Sequence, residues 1–135
     1  MTAGYSGTPL AKKLNLRDGM ACWFDRMPQS IKDEIDEYGL ELSSVHDPAC
    51  GFDVAHIFET EASDLKSKLA HLRRYVSKNG HVWVSWPKKG SGQETALDQD
   101  AVQRVGLASG LVDSKKCAVD EVWSGLKFVI PKADR

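Results

Sequence analysis

Two short runs in this chain are apolar on both faces, and nothing else in it constrains the fold as strongly. Residues 20–24 alternate Ala21 and Trp23 with Cys22 and Phe24, and residues 81–86 do the same before Pro87 halts them. A strand that can bury both sides belongs in the middle of a parallel sheet with helices above and below it. Residues 52–58 add a third short apolar strand, and residues 40–45 a weaker one.

Helical patterns separate these strands. Thr8-Pro9 reads as an N-cap with proline at the first helical position, and the short helix after it turns Leu10, Leu14 and Leu16 inward. Ile31, Ile35 and Tyr38 recur at helical spacing opposite an acidic face of Asp33, Glu34, Asp36 and Glu37, and Gly39 closes that segment. Leu65, Leu69, Leu72 and Val76 mark a third helix, with Asn79-Gly80 as its expected stop. A fourth begins near Asp98, carries Ala101, Val105 and Ala108 inward and stops at Gly110. Residues 115–123 and 126–130 then pair as a hairpin across Ser124-Gly125. Parallel strands need right-handed crossovers, and the last strand returns antiparallel. The expectation is one α/β sandwich over residues 1–135, with a mostly parallel sheet of about six strands and residues 1–7 flexible.

Three stretches carry a resemblance. Leu14-Asn15-Leu16-Arg17-Asp18-Gly19 looks like the approach to the cofactor loop of the Rossmann-like methyltransferase fold. Phe52-Asp53-Val54-Ala55-His56-Ile57-Phe58 is similar to that fold's fourth strand, and Lys78-Asn79-Gly80-His81-Val82-Trp83-Val84 to the start of its fifth. More closely, the chain resembles a bacterial family of small proteins of unknown function with this fold. Four stretches carry that match: Ser6-Gly7-Thr8-Pro9-Leu10-Ala11-Lys12-Lys13-Leu14; Trp83-Val84-Ser85-Trp86-Pro87-Lys88; Gly110-Leu111-Val112-Asp113; and Ala118-Val119-Asp120-Glu121-Val122-Trp123-Ser124-Gly125-Leu126-Lys127-Phe128. The resemblance implies a fold and no reaction.

The chain departs from the methyltransferase pattern in two places. Where that fold carries a glycine-rich loop after its first strand, this chain reads Asp25-Arg26-Met27-Pro28-Gln29-Ser30, without a glycine. Side chains there stand in the path of S-adenosylmethionine, and proline restricts the turn. The third strand and its helix are missing, because too few residues separate Val45 from the next strand. Asp25 and, about twenty residues on, Asp47 are the candidates for remnants of a cofactor site; Asp47 stands where an acid would hold a ribose hydroxyl. Asp47-Pro48 is equally an ordinary turn pair. No cofactor is expected; S-adenosylmethionine enters only under the alternative of a divergent methyltransferase or other small-molecule transferase.

The candidate binding rim is Trp86, Pro87, Lys88, Trp123, Ser124 and Gly125. Ligands of open α/β sheets bind beyond the carboxyl ends of the strands, and both segments end there in the inferred topology. Two tryptophans beside Lys88, Lys127, Asp120 and Glu121 would suit a planar ligand or a partner's cation. The opposing reading makes both indoles packing residues and Gly125 a hairpin glycine. Lys88 and Lys89 beside Gly90-Ser91-Gly92 form an anion site or a solvated loop.

No catalytic residue emerges. His46, His56, His71 and His81 lack metal-ligand spacing, Cys50 four residues after His46 completes no zinc set, and there is no G-x-S-x-G elbow. The basic face from Lys66 to Lys78 reads as a solvated helix side. Lys and Arg number 18 against 19 Asp and Glu, a formal charge of −1 that disfavours a nucleic-acid binder. The longest apolar runs fall far short of the roughly 18 residues of a membrane span. Three widely spaced cysteines and the lack of a signal-like start point to a reducing, cytoplasmic setting. The leading expectation is a non-catalytic binding or regulatory module whose partner is a protein or a small molecule.

Overall fold

A computed structural model describes residues 7–135; of residues 1–7, expected to be flexible, all but Gly7 lie outside them. The elements run α1 (Leu10–Lys13), β1 (Ala21–Asp25), α2 (Gln29–Tyr38), β2 (Ser43–Ser44), β3 (Phe52–Phe58), α3 (Ala62–Tyr75), β4 (Val76–Pro87), α4 (Gln99–Ala108), β5 (Val112–Ala118) and β6 (Trp123–Val129). They form one six-stranded sheet in the order β2-β1-β3-β4-β6-β5. Pairings from β2 through β4 are parallel, and β6 runs antiparallel to both β4 and β5. The expected sandwich with its antiparallel terminal pair is thus the fold. A 3-10 turn at Pro48–Cys50 is all that links β2 to β3, where a further strand and helix were expected to be missing.

Two hydrophobic layers fill the sandwich. Leu65, Leu69 and Leu72 of α3 and Val102 of α4 pack with Ala55, Ile57, Val82, Val84, Leu126 and Phe128 on one face. Leu10 of α1, Leu14 just after it, and Ile31 and Ile35 of α2 pack with Cys22, Val54, Phe58 and Trp83 on the other. In β3 and β4 successive residues alternate between these layers and both sides are buried, as a central strand requires. β1 departs from the expectation: Cys22 is buried, but Trp23 and Phe24 are only partly so. The reason is local. Beyond β1 the sheet has only the two-residue β2, so both faces of β1 lie near its edge; Trp23 packs against the margin of one layer and Phe24 against the margin of the other.

Three boundaries need correction. Pro9 rather than Thr8 caps α1, and it makes no side-chain capping bond. The third helix ends at Tyr75, so Val76 and Asn79-Gly80 belong to β4. Gly80 lies where the β3–β4 register shifts, and a Cβ there would stand 2.3 Å from the Asp53 carbonyl oxygen. Its glycine answers a close backbone approach, not a helix stop. Ser124 and Gly125 are likewise strand residues, paired with Trp86 and Ser85, and the turn falls at Asp120 to Val122. Asp120 Oδ1 accepts the Val122 and Trp123 N–H groups at 2.8 Å each and so builds that turn. A Cβ on Gly125 would meet Trp83 at 3.2 Å and Val119 at 3.1 Å, which is why glycine stands there.

Candidate functional site

In this topology β1 leads leftward to β2 while β3 leads rightward to β4, so the chain reverses between β1 and β3. The carboxyl ends of those two strands flank the crevice where open α/β sheets bind ligands. Asp25 closes β1 and Glu59 directly follows β3. Their register places Asp25 beside Ile57, two residues before Glu59, on the α3 side of the sheet. Lys68 projects from α3 and its ammonium bonds both carboxylates. The Glu59 side chain is fully buried, those of Asp25 and Lys68 about three-quarters so. Partial burial pulls the Lys68 pKa down, but bonding to Asp25 and Glu59 outweighs it and leaves the pKa raised. The second Glu59 oxygen, Oε2, accepts no hydrogen bond from the described residues. Arg26 Nη1 approaches it only to 3.9 Å, too long for one. Arg26 itself holds a left-handed backbone, φ 58°, immediately after β1. That conformation is uncommon for a residue with a Cβ.

Beneath this surface, on the α1–α2 side, His56 and Ser85 form a buried pair with Nε2 and Oγ 2.7 Å apart. Burial first, then the charge of His81, pushes the His56 pKa down to about 3. The imidazole is therefore neutral near pH 7. Its other nitrogen, Nδ1, has no hydrogen-bond partner among the described residues, and the ring stacks on Phe58 at 4.4 Å. With both residues at most 1% exposed, no substrate reaches this pair as it stands.

Beside the crevice, beyond β4, lies an open cleft of about 640 Å3. Thr60, Glu61, Pro87, Lys88, Lys89 and the segment leading to Asp98, just before α4, line it. Thr95 Oγ1 donates to the Thr60 carbonyl at 2.8 Å, and Asp98 caps α4 by accepting from Ala101 N–H, so the far wall is held at two points. Lys88 is tethered: its ammonium donates to the Asp120 carbonyl at 2.6 Å and its N–H to Val122 O at 2.7 Å.

The rim residues all fall at this end of the sheet, but they do not form one concavity. Trp86 is 4% exposed and belongs to the layer under α3 and α4, while Trp123 is half-buried in the opposite layer, edge-on to Phe58 at 5.1 Å. Register decides this: Trp86 pairs with Ser124 and Pro87 with Trp123, so the two indoles point through opposite faces. Pro87 and Lys88 line the cleft; Trp123, Ser124 and Gly125 do not. Asp47 caps the 3-10 turn by accepting Ala49 N–H at 2.9 Å, the turn role that its Asp-Pro pairing allowed.

Sequence reasoning missed Glu59, Lys68 and Arg26. Lys68 was hidden among the cations of a face read as solvated, of which Lys66, Arg74 and Lys78 are indeed exposed. The available signal was Glu59, an acid abutting an apolar strand, nine residues before a lysine on the helix that follows. Burial raises the Cys22 thiol to about 11, helped by Asp53, so no reactive thiolate arises there. Among the described residues no three His, Cys, Asp or Glu side chains gather as a metal site, and no helix is long and apolar enough to cross a membrane.

The architecture has solved counterparts. The magnesium protoporphyrin IX methyltransferase of Synechocystis PCC 6803, solved with bound S-adenosylmethionine, superposes with a TM-score of 0.55 at 11% identity, over 90% of this chain and 74% of that one. A methyltransferase from Pyrococcus furiosus gives 0.54 at 12% identity, over 88% and 78%. The ribosomal protein L11 methylase of Lactobacillus delbrueckii subsp. bulgaricus gives 0.55 at 10%, over 90% and 74%. Identities this low establish the methyltransferase-like fold and nothing about activity. No curated protein matches the sequence. The model of a family described as "Protein of unknown function (DUF3052)" matches residues 11–132, and the chain belongs to that family.

Proposed function

We propose that this protein is a binding or regulatory module built on a methyltransferase-like frame, working without S-adenosylmethionine and without catalysing a transfer. One observation carries the reading: the Lys68 ammonium sits between Asp25 and Glu59 in the crevice flanked by β1 and β3. A cofactor entering there would have to displace a partly buried ion pair and strand the Glu59 carboxylate. The residues after β1 also suit the cofactor poorly. Arg26 and Pro28 replace the glycines that would let backbone approach it, and Arg26 already holds a left-handed φ with its side chain toward Glu59. The recognition surface in this reading is the carboxyl-end rim, entered through the cleft at Pro87 and Lys88, with Trp123 on the opposite face as a second contact. Threonine, lysine and acid side chains around that cleft favour a polar small molecule or a charged protein segment.

Calorimetric titration with S-adenosylmethionine tests the proposal. No saturable heat is expected from the intact chain. Micromolar binding would overturn it and favour a divergent methyltransferase.

A further inference from the structure

At the other end of the sheet, where the parallel strands begin, a basin of about 550 Å3 opens between the turn leading into β1 and the last residues of β6. Its volume falls within the roughly 300–1,000 Å3 of small-molecule sites. Three of its lining side chains are cations, Lys12, Arg17 and Lys127, and none of the three forms an ion pair among the described residues. Among the described residues the one carboxylate on its wall, Asp18, accepts Glu41 N–H at 2.7 Å. His81, also on the wall, adds no charge near neutral pH. Burial lowers its pKa to about 4 even though a bond to the Leu14 carbonyl opposes this, and Lys127, Arg17 and Lys115 push it down further.

Lys127 is the informative residue. It lies within β6, paired with Trp83 on the α1–α2 face, and is partly buried. Burial lowers its pKa, and the charges of Lys115 and Arg17 add to the effect. An ammonium held among other cations without a counter-ion opposes folding, and an apolar side chain would suit this strand position better. A lysine kept there is explained by a charge that arrives from outside.

We propose that this basin binds a small multivalent anion of the phosphate class, held by Lys127, Arg17 and Lys12. Three cations around one already bonded carboxylate select negative charge, and more than a single unit of it. The recessed position of Lys127 selects a small ligand over a polymer backbone, which would lie across the exposed Lys115 and Lys116 of β5 instead. The site is at the opposite end of the sheet from the cleft at Pro87 and does not depend on the reading of that cleft.

The test is calorimetric titration of the full chain with inorganic pyrophosphate, and in a second arm with ADP. Saturable binding to one site is expected. Stronger binding of ADP would assign the ligand as a nucleotide, equal binding as the free anion. Lys127→Met should weaken binding by about tenfold or more, equivalent to about 1.4 kcal/mol. Lys66→Met, on the outer surface of α3, should leave it unchanged. Lys127→Met should also raise the melting temperature of the ligand-free protein, which shows at once that the variant folds and that the lysine opposes stability. Arg17→Ala, at an exposed position, gives the same loss of binding with no folding risk. Absence of saturable heat at millimolar pyrophosphate overturns the proposal. So does a loss with Lys66→Met as large as that with Lys127→Met, which would mean only diffuse attraction to positive charge.

Discussion

The two ends of the sheet treat charge in opposite ways. At the carboxyl end, Lys68 is matched by Asp25 and Glu59, and Lys88 is tied to the Asp120 carbonyl. At the amino end, Lys12, Arg17 and Lys127 face a shared basin with no ion-pair partner among the described residues. The fold normally presents its ligand site at the carboxyl end. In this chain the partly buried ammonium groups at that end, Lys68 and Lys88, have partners within the protein, while the partly buried Lys127 at the other end has no ion-pair partner among the described residues. Position in a fold and readiness to bind are separate properties, and the second depends on which side chains already have partners.

The strongest way to break the comparison is at Trp86. If the carboxyl end is packed interior on the α3 side, Trp86→Ala should destabilise by about 3–5 kcal/mol, the cost of a large cavity. Trp123→Ala, from a half-buried site, should cost clearly less. Urea unfolding of both variants measures this, and equal small losses would show that both indoles are surface groups. Next in size is Lys68→Met, which leaves two acids, one of them fully buried, without their cation. A loss of about 3 kcal/mol is expected, at the low end for a broken buried pair because Lys68 is 24% exposed. The double variant Lys68→Met with Glu59→Gln should recover much of that loss. A Lys68→Met cost below about 1 kcal/mol would mean solvent screens the pair and the crevice is less closed than its geometry indicates.

The smallest of these effects sharpens the picture of the amino end. His81 is neutral in the folded chain because its pKa falls from 6.5 to about 4, so below pH 6.5 the unfolded state binds more protons than the native one. Stability therefore falls as pH drops from 6.5 toward 4. One pH unit below 6.5, His81 accounts for a loss of about 1.4 kcal/mol. His56, with its still lower pKa, adds a loss of the same sign. In His81→Gln the acid-induced loss should shrink by about that amount. Unfolding curves at neutral and mildly acidic pH provide the check, and an unchanged slope would mean His81 titrates normally and the cations around the basin do not reach it.

Much of this molecule is legible in its residues alone. Short apolar runs locate β3 and β4, the periodicity of Leu65, Leu69 and Leu72 locates α3, and Asp98 marks the start of α4. The carboxyl-end location of Pro87 and Lys88 also follows from the order of elements. Val76 and Gly80 mislead because a buried valine and a glycine suit a helix end and a strand bulge equally well. Ser124-Gly125 misleads in the same way. Glycine marks a turn or a close approach, and only the Val119 side chain and the Trp83 ring lying against Gly125 distinguish them.

What the sequence determined by itself was the set of elements and their order, since hydrophobic periodicity and turn chemistry act between near neighbours. Tertiary structure alone decided which charges meet. Lys68 lies 43 residues from Asp25, Trp86 and Trp123 separate through opposite faces by strand register, and Lys127 joins Arg17 across nearly the whole length of the chain. Such pairings depend on side-chain direction across a folded sheet, which the spacing of residues along a chain does not encode.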